Sequence, residues 1–149
     1  MVGRKSLKGD YCPSARSLDV IGDWWSLLIV RDAFDGLTRF GEFQKSLGIA
    51  KNILTERLRT LVSRGILKAV PVGDSGARLE YRLTAMGRDL FPVMVALRQF
   101  GERHLFKPGE AHSELVDRET GLPVRLDIRA PDGRSVGPDD TVLLRVPEE

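Results

Sequence analysis

The stretch "GIAKNILTERLRTLVSRGILK", residues 48–68, decides how this chain is read. Wound at about 100° per residue, it gathers Leu54, Leu58 and Leu61 into a narrow arc and turns Asn52, Glu56, Arg59 and Ser63 the opposite way. A helix that only covers a core shows plain charge outward, whereas this outer face mixes amide, hydroxyl, carboxylate and guanidinium. Immediately upstream, "TRFGEFQKSLG" sets Phe40, Phe43 and Leu47 at i, i+3 and i+7 and closes at Gly48, which predicts a shorter amphipathic helix. Two such helices joined by a tight glycine-containing turn form a helix-turn-helix, with the second as the candidate reading element. Downstream, Gly65 ends the helix, "ILKAVPV" reads as a short strand, "GDSGA" as a flexible tip and "RLEYRL" as an alternating strand returning beside it. Helix, turn, helix and hairpin in this order predict a winged helix.

Working outward, Pro13 opens a short helix that runs to Gly22, and Asp23 caps a second, "WWSLLIVRDAF", which is apolar nearly all round and therefore central to the core. After the hairpin, Thr84 caps a long helix that offers Leu90, Val93, Met94, Leu97 and Phe100 for burial. Pro92 predicts a bend in it, because proline removes a backbone donor. That much apolar surface on a helix leaving a small domain predicts packing on a second copy, with packing back onto its own domain as the alternative. Past Lys107 the composition changes. "PGEAHSEL" is linker-like, and "PVRLDIRA" sets Val124, Leu126, Ile128 and Ala130 on one face and Arg125, Asp127 and Arg129 on the other. With "ELVDR" before it and "TVLLRV" after the turn "PDGR", the tail predicts about three short antiparallel strands, whose apolar face must dock on something else. The expected class is mainly α (α+β). Residues 1–107 form a winged helix-turn-helix DNA-binding and dimerisation domain, and residues 108–149 a β-rich C-terminal appendage.

Composition narrows the function. At 149 residues, 42% hydrophobic and 30% charged, the chain is an ordinary globular protein with room for one domain and an appendage. No apolar run approaches the ~20 residues that cross a bilayer, and Arg4, Lys5 and Lys8 are not followed by the apolar stretch of a secretory signal. The single cysteine excludes an intramolecular disulfide, so a reducing cytoplasm is the expected compartment. The net charge of +2 hides an asymmetry: residues 1–107 hold 18 Lys+Arg against 11 Asp+Glu, and residues 108–149 hold 5 against 10. A basic first segment favours an anionic partner, nucleic acid being the commonest, over a merely solvated surface. His104 and His112 stand without a cysteine pair, so no zinc site and no cofactor is expected. Neither a glycine-rich phosphate loop nor a nucleophile with a histidine base is evident, and an enzyme is not expected.

The opening "CPSARSLDVIGDWW", then "LLIVRD", then "TRFGEFQKSLGIAKNILTERLRTLVSRGIL" and "LEYRLTAMGRDLFPVMVAL" together resemble the HxlR family of bacterial winged-helix transcription regulators, relatives of the MarR group, over roughly residues 11–106. The resemblance implies a dimer, a recognition helix in the major groove, a wing near the minor groove and control of nearby genes. Three places depart from the family pattern: "GDWW" replaces a glycine, a basic residue and one tryptophan, paired prolines are missing near "VPVGDSGA", and Phe100 stands where a tryptophan is frequent.

The candidate contacts follow from side-chain chemistry. Asn52 can pair with adenine, Arg59 with guanine, and Thr55 can touch a thymine methyl. Lys51 and Arg57 suit phosphates, which position without discriminating. Glu56 can accept from a cytosine amine or pair with Arg59 or Lys51. Arg78 beside the tip is the wing candidate, because a narrow minor groove attracts arginine, and Ser75 and Arg39 are further phosphate candidates. Cys12, ahead of Pro13 and near Arg16, is a candidate redox-sensing thiol, since some members of the resembled family use a cysteine at this point of the motif; a packed, inert thiol is the favoured alternative. Trp24, Trp25, Phe34, Phe40 and Phe43 read as core, or else as the lining of a small-molecule effector pocket. The expected function is a sequence-specific transcriptional regulator acting as a homodimer on double-stranded DNA. The alternatives are a winged-helix module that binds another protein and a thiol-based sensor.

Overall fold

The computed structural model describes residues 6–147, so the reading of Arg4 and Lys5 lies outside the described residues. Two compact units are present, Met1–Phe91 and Pro92–Glu149. The first holds α1 (Pro13–Ile21), α2 (Trp24–Phe34), α3 (Phe40–Leu47), α4 (Lys51–Ser63), β1 (Leu67–Val72), β2 (Arg78–Leu83) and α5 (Ala85–Arg88). This is the winged-helix order the sequence predicts.

Each boundary has a local cause. Asp23 caps α2: one carboxylate oxygen accepts the Ser26 amide at 3.0 Å and the other the Ser26 hydroxyl at 2.6 Å. Gly48 closes α3 at φ +61°, a left-handed conformation that side-chain-bearing residues rarely adopt, and so permits the tight turn into α4. Thr84 caps α5 by accepting from the Gly87 amide at 3.0 Å, while its hydroxyl donates to the Gly65 carbonyl and ties α5 to the entry of β1.

The core follows the leucine arc. Leu54, Leu58 and Leu61 are buried with Ile29 and Val30 of α2, Phe43 of α3, and Ile66 and Leu67 at the start of β1. Their burial supplies most of the folding drive, at roughly 1.5–3 kcal/mol for each fully buried aliphatic side chain. Among the aromatics, Phe43 is core as expected, but Trp24 is 69% exposed. The Asp23 cap fixes where α2 begins and leaves Trp24 on its first turn, ahead of the inward face, with its ring edge-on to Trp25 at 5.6 Å. Inside α2, Asp32 is also buried: one carboxylate oxygen is bonded by Arg31 at 2.9 Å, and the other has no hydrogen-bond partner among the described residues.

The hairpin pairs β1 with β2 antiparallel, from Leu67 opposite Leu83 to Val72 opposite Arg78. A further strand-like residue, invisible in the sequence, joins it. Arg39 bridges to Glu80, and the Tyr81 amide donates to the Thr38 carbonyl at 2.7 Å, so the segment before α3 lies along the outer edge of the wing.

Two expectations are corrected. The helix predicted from Thr84 onward is not continuous: α5 stops at Arg88, the chain turns through Asp89 and Leu90, and α6 begins at Phe91 and runs to His104. Pro92 has no N–H for the Arg88 carbonyl, and its ring would collide with that carbonyl in an unbroken helix, so the helix breaks rather than bends. The predicted tail strands also do not form. Among the described residues, the tail of the second unit holds two single antiparallel bridges, Val116 with Pro123 and Arg129 with Ser135, and a short 3-10 turn at Pro138–Asp140. Each bridge closes a short turn, and "TVLLRV" has no neighbouring strand among the described residues, so the alternating pattern lacks the partners a sheet requires. Within this unit Val95 of α6 is buried, Arg98 donates to the Ser113 carbonyl at 2.7 Å, and Gln99 donates to the Val124 carbonyl at 3.2 Å.

Candidate nucleic-acid interface

Two arginines fix the position of α4. Arg57 donates to the Asp23 carboxylate at 3.1 Å and is only 31% exposed, with Glu56 a further 3.8 Å neighbour. The structure therefore sets Arg57 on the flank of α4, engaged with the cap of α2. Arg64, the cap residue at the C-terminal end of α4, donates to the carbonyls of Asp19 and Val20 at 3.0 and 2.6 Å and so joins the end of α1. Its role was not apparent in the sequence, because the partners lie 45 and 44 residues away. Burial pushes the Asp23 carboxyl up, but the Ser26 hydroxyl and amide and the Arg57 guanidinium outweigh it and hold the group below its ordinary range.

With its inward side buried and its middle and C-terminal end clamped, α4 leaves Lys51, Asn52, Thr55, Glu56 and Arg59 exposed. Lys51, Asn52 and Arg59 have no side-chain hydrogen bond or ion pair among the described residues. The Thr55 hydroxyl donates back to the Lys51 carbonyl at 2.8 Å, which leaves its methyl and lone pairs outward. No side chain caps the α4 N-terminus at Ala50, and no acidic residue occupies its first turn, so the positive end of the helix is open to an anion.

The wing supplies a second set of donors. Ser75 and Arg78 are exposed, and the Arg78 guanidinium lies over Gly73 at the base of the tip. On the wing strands Glu80 is held below the usual carboxylate range, first by the hydrogen bond from Arg82 and further by Thr38 and the nearby Arg39 charge. Glu80 thus occupies Arg82 at 3.2 Å and draws on exposed Arg39, whose backbone amide donates to Glu42 at 3.0 Å.

Cys12 is exposed, which overturns the packed-thiol reading: as the cap residue of α1 it stands outside the first turn, its amide bonded to the Asp10 carboxylate at 2.8 Å. Arg16 donates to the Asp10 carbonyl rather than to the thiol. On α6, Val93, Leu97 and Phe100 are exposed along one face and Met94 is half-buried, as is Leu90 in the turn before it; the Phe100 ring meets His104 at a tilt, 5.0 Å between centroids. Among the described residues no cluster could hold a metal ion, and no helix is long and apolar enough to cross a membrane.

Comparison with known proteins agrees with this geometry. Residues 20–108 match the family model described as HxlR-like helix-turn-helix. The chain is similar to the HTH-type transcriptional regulator MT3179 of Mycobacterium tuberculosis, 46% identical over 62% of this chain; the alignment spans 59% of that protein's length. The crystal structure of PA1607, a candidate transcription factor, superposes with a TM-score of 0.88 at 60% identity, covering 94% of this chain and 99% of that one. The redox regulator HypR in its reduced form superposes with a TM-score of 0.59 at 33% identity, covering 63% of this chain and 94% of that one. With helix, turn, clamped helix and wing in place and more than half its length matched, the chain belongs to the HxlR-like helix-turn-helix family.

Proposed function

We propose that this protein is a cytoplasmic transcriptional regulator that binds double-stranded DNA as a homodimer, with α4 of each copy in the major groove and the wing near the minor groove. The observation that carries this is the open face of α4: five polar or charged side chains stand outward on a helix whose opposite side is buried and which is held at its middle by Arg57 and at its C-terminal end by Arg64. Asn52, Thr55, Glu56 and Arg59 are positioned for base edges. Lys51, Arg39, Ser75 and Arg78 are positioned for phosphates or the minor groove. The exposed Val93, Leu97 and Phe100 face of α6, with Leu90 and Met94 beside it, supplies the apolar surface for the second copy. Residues 1–107 carry both tasks, and residues 108–149 form the appendage.

Two reading helices related by a two-fold axis select half-sites about 10 base pairs apart. Gel-shift titration across salt concentration tests the reading: each phosphate contact contributes about 0.9 to the slope of log affinity against log salt. A flat salt response, or equal affinity for selected and scrambled sequences, overturns it.

A second reading is favoured by the exposure of Cys12 and by the likeness to HypR, a redox regulator. The thiol senses oxidants or electrophiles, and any disulfide it forms joins two chains or a small thiol. Failure of a thiol-reactive dye to label the native protein, or unchanged DNA affinity after labelling, removes this reading.

A further inference from the structure

The last described segment of the chain, residues 142–147, is apolar and pairs with no strand among the described residues. Val142, Leu143, Leu144 and Val146 are between 53% and 88% exposed. None of the backbone groups of residues 142–147 makes a hydrogen bond among the described residues. Elsewhere in the same unit an unpaired edge waits. The Ile128 carbonyl and the Ala130 amide bond to Val136 and Arg134, and the Val124 amide bonds to Leu115, so these backbone groups at 124, 128 and 130 face their own turns. The odd-numbered ones, at Arg125, Asp127 and Arg129, make no backbone hydrogen bond among the described residues. Leu126 and Ile128 beside them are exposed.

The geometry points to strand exchange between two copies: residues 142–146 of one chain pair antiparallel with residues 126–130 of the other. The inference rests on the homodimer reading. The register that sets Arg145 opposite Asp127 also sets Leu126 opposite Val146, Ile128 opposite Leu144 and Ala130 opposite Val142. One face of the joined strands is then wholly apolar, and on the other Arg145 meets the Asp127 carboxylate, which Ser135 and Arg129 of its own chain also engage. Parallel pairing of the same two five-residue segments, 126 opposite 142, would set Arg145 against Arg129, two like charges directly opposed.

The chain cannot satisfy its own edge. Residue 136 leaves on the far side of the 125–129 segment, so residue 142 would have to cross two strand spacings, about 10 Å. The connecting residues are wound into the Pro138–Asp140 turn, which the Asp140 amide closes onto the Gly137 carbonyl at 3.1 Å. The 134–136 and 142–146 segments would run the same way on either side of 125–129, and a crossover of that kind takes about a dozen residues, more than the stretch 137–141 supplies. A second copy, entering from outside, meets no such limit, and the exchange is reciprocal about a two-fold axis.

The test mixes two single-cysteine chains, both carrying Cys12→Ser, one with Ile128→Cys and the other with Leu144→Cys. In the proposed register these are a non-hydrogen-bonded cross-strand pair, within disulfide reach. Mild oxidation is expected to cross-link this mixture at least about tenfold faster than Ile128→Cys mixed with Leu143→Cys, whose side chains point to opposite faces. Arg145→Glu, added to the Leu144→Cys chain, is expected to slow the cross-link. Equal rates for the two mixtures, while sedimentation shows a dimer, overturn the exchange and leave the dimer standing. A chain that is monomeric at every concentration overturns both.

Discussion

At the scale of single residues, Asp23 does two jobs: it caps α2 through Ser26 and holds α4 through Arg57. Asp23→Ala is expected to cost about 1 kcal/mol from the cap alone, with a further loss from the freed Arg57, read as a lower denaturation midpoint in urea. The pH dependence has a definite sign. Because the folded carboxyl sits below its ordinary range, its stabilisation is full above the unfolded carboxylate pKa and fades as pH falls through the folded one. The gap in unfolding free energy between wild type and Asp23→Asn should therefore narrow on acidification, and a constant gap would contradict the assigned cause. Arg59 has a different signature. Arg59→Ala is expected to leave stability unchanged and to cost roughly 1–3 kcal/mol on the preferred operator. Equal loss on random DNA, measured by gel shift, would make it a phosphate contact. Of these two residues the sequence showed the cap and the outward arginine, because each depends on neighbours within one turn. The Asp23–Arg57 pair was hidden, since its members are 34 residues apart.

At the scale of elements, the legible features were those with a period. The leucine spacing located α4, and alternation with a glycine-bearing tip located β1 and β2. The edge strand at Thr38 and Arg39 was not legible because so short a segment has no pattern of its own; its partner β2 defines it. The tail misled for the converse reason: its alternation is real, but pairing needs a second strand that this chain does not bring into place. Packing between elements gives two predictions. Leu58→Ala, at a site fully enclosed in the core, is expected to cost about 2–5 kcal/mol by thermal or chemical unfolding. Gly87 is the point where α5 passes the end of β1: a Cβ there would come within 2.2 Å of the Ile66 carbonyl, a contact that backbone must move to relieve. Gly87→Ala is accordingly expected to destabilise by about 1–3 kcal/mol despite alanine's better helix propensity, and a stabilised variant would refute the close approach.

At the scale of the whole molecule, charge and assembly belong together. The excess of basic residues lies in 1–107 and the excess of acidic ones in 108–149, so removing the tail makes the remaining protein more positive. A chain ending at Lys107 is expected to bind non-specific DNA more tightly at low salt, because it no longer carries the appendage's negative charge. Filter binding to random duplexes checks this, and weaker binding by the shortened chain would show that the appendage contributes favourably to the DNA complex.

The clamp of Arg64 on the last carbonyls of α1 has a mechanical consequence. That helix begins at the exposed thiol and ends where α4 is held, a span of roughly 13 Å for nine helical residues. On the thiol-sensor reading it would act as a pushrod: a bulky adduct that displaced its front end would be transmitted to the back of α4, tilting the helix by its anchor and leaving its outward side chains chemically untouched.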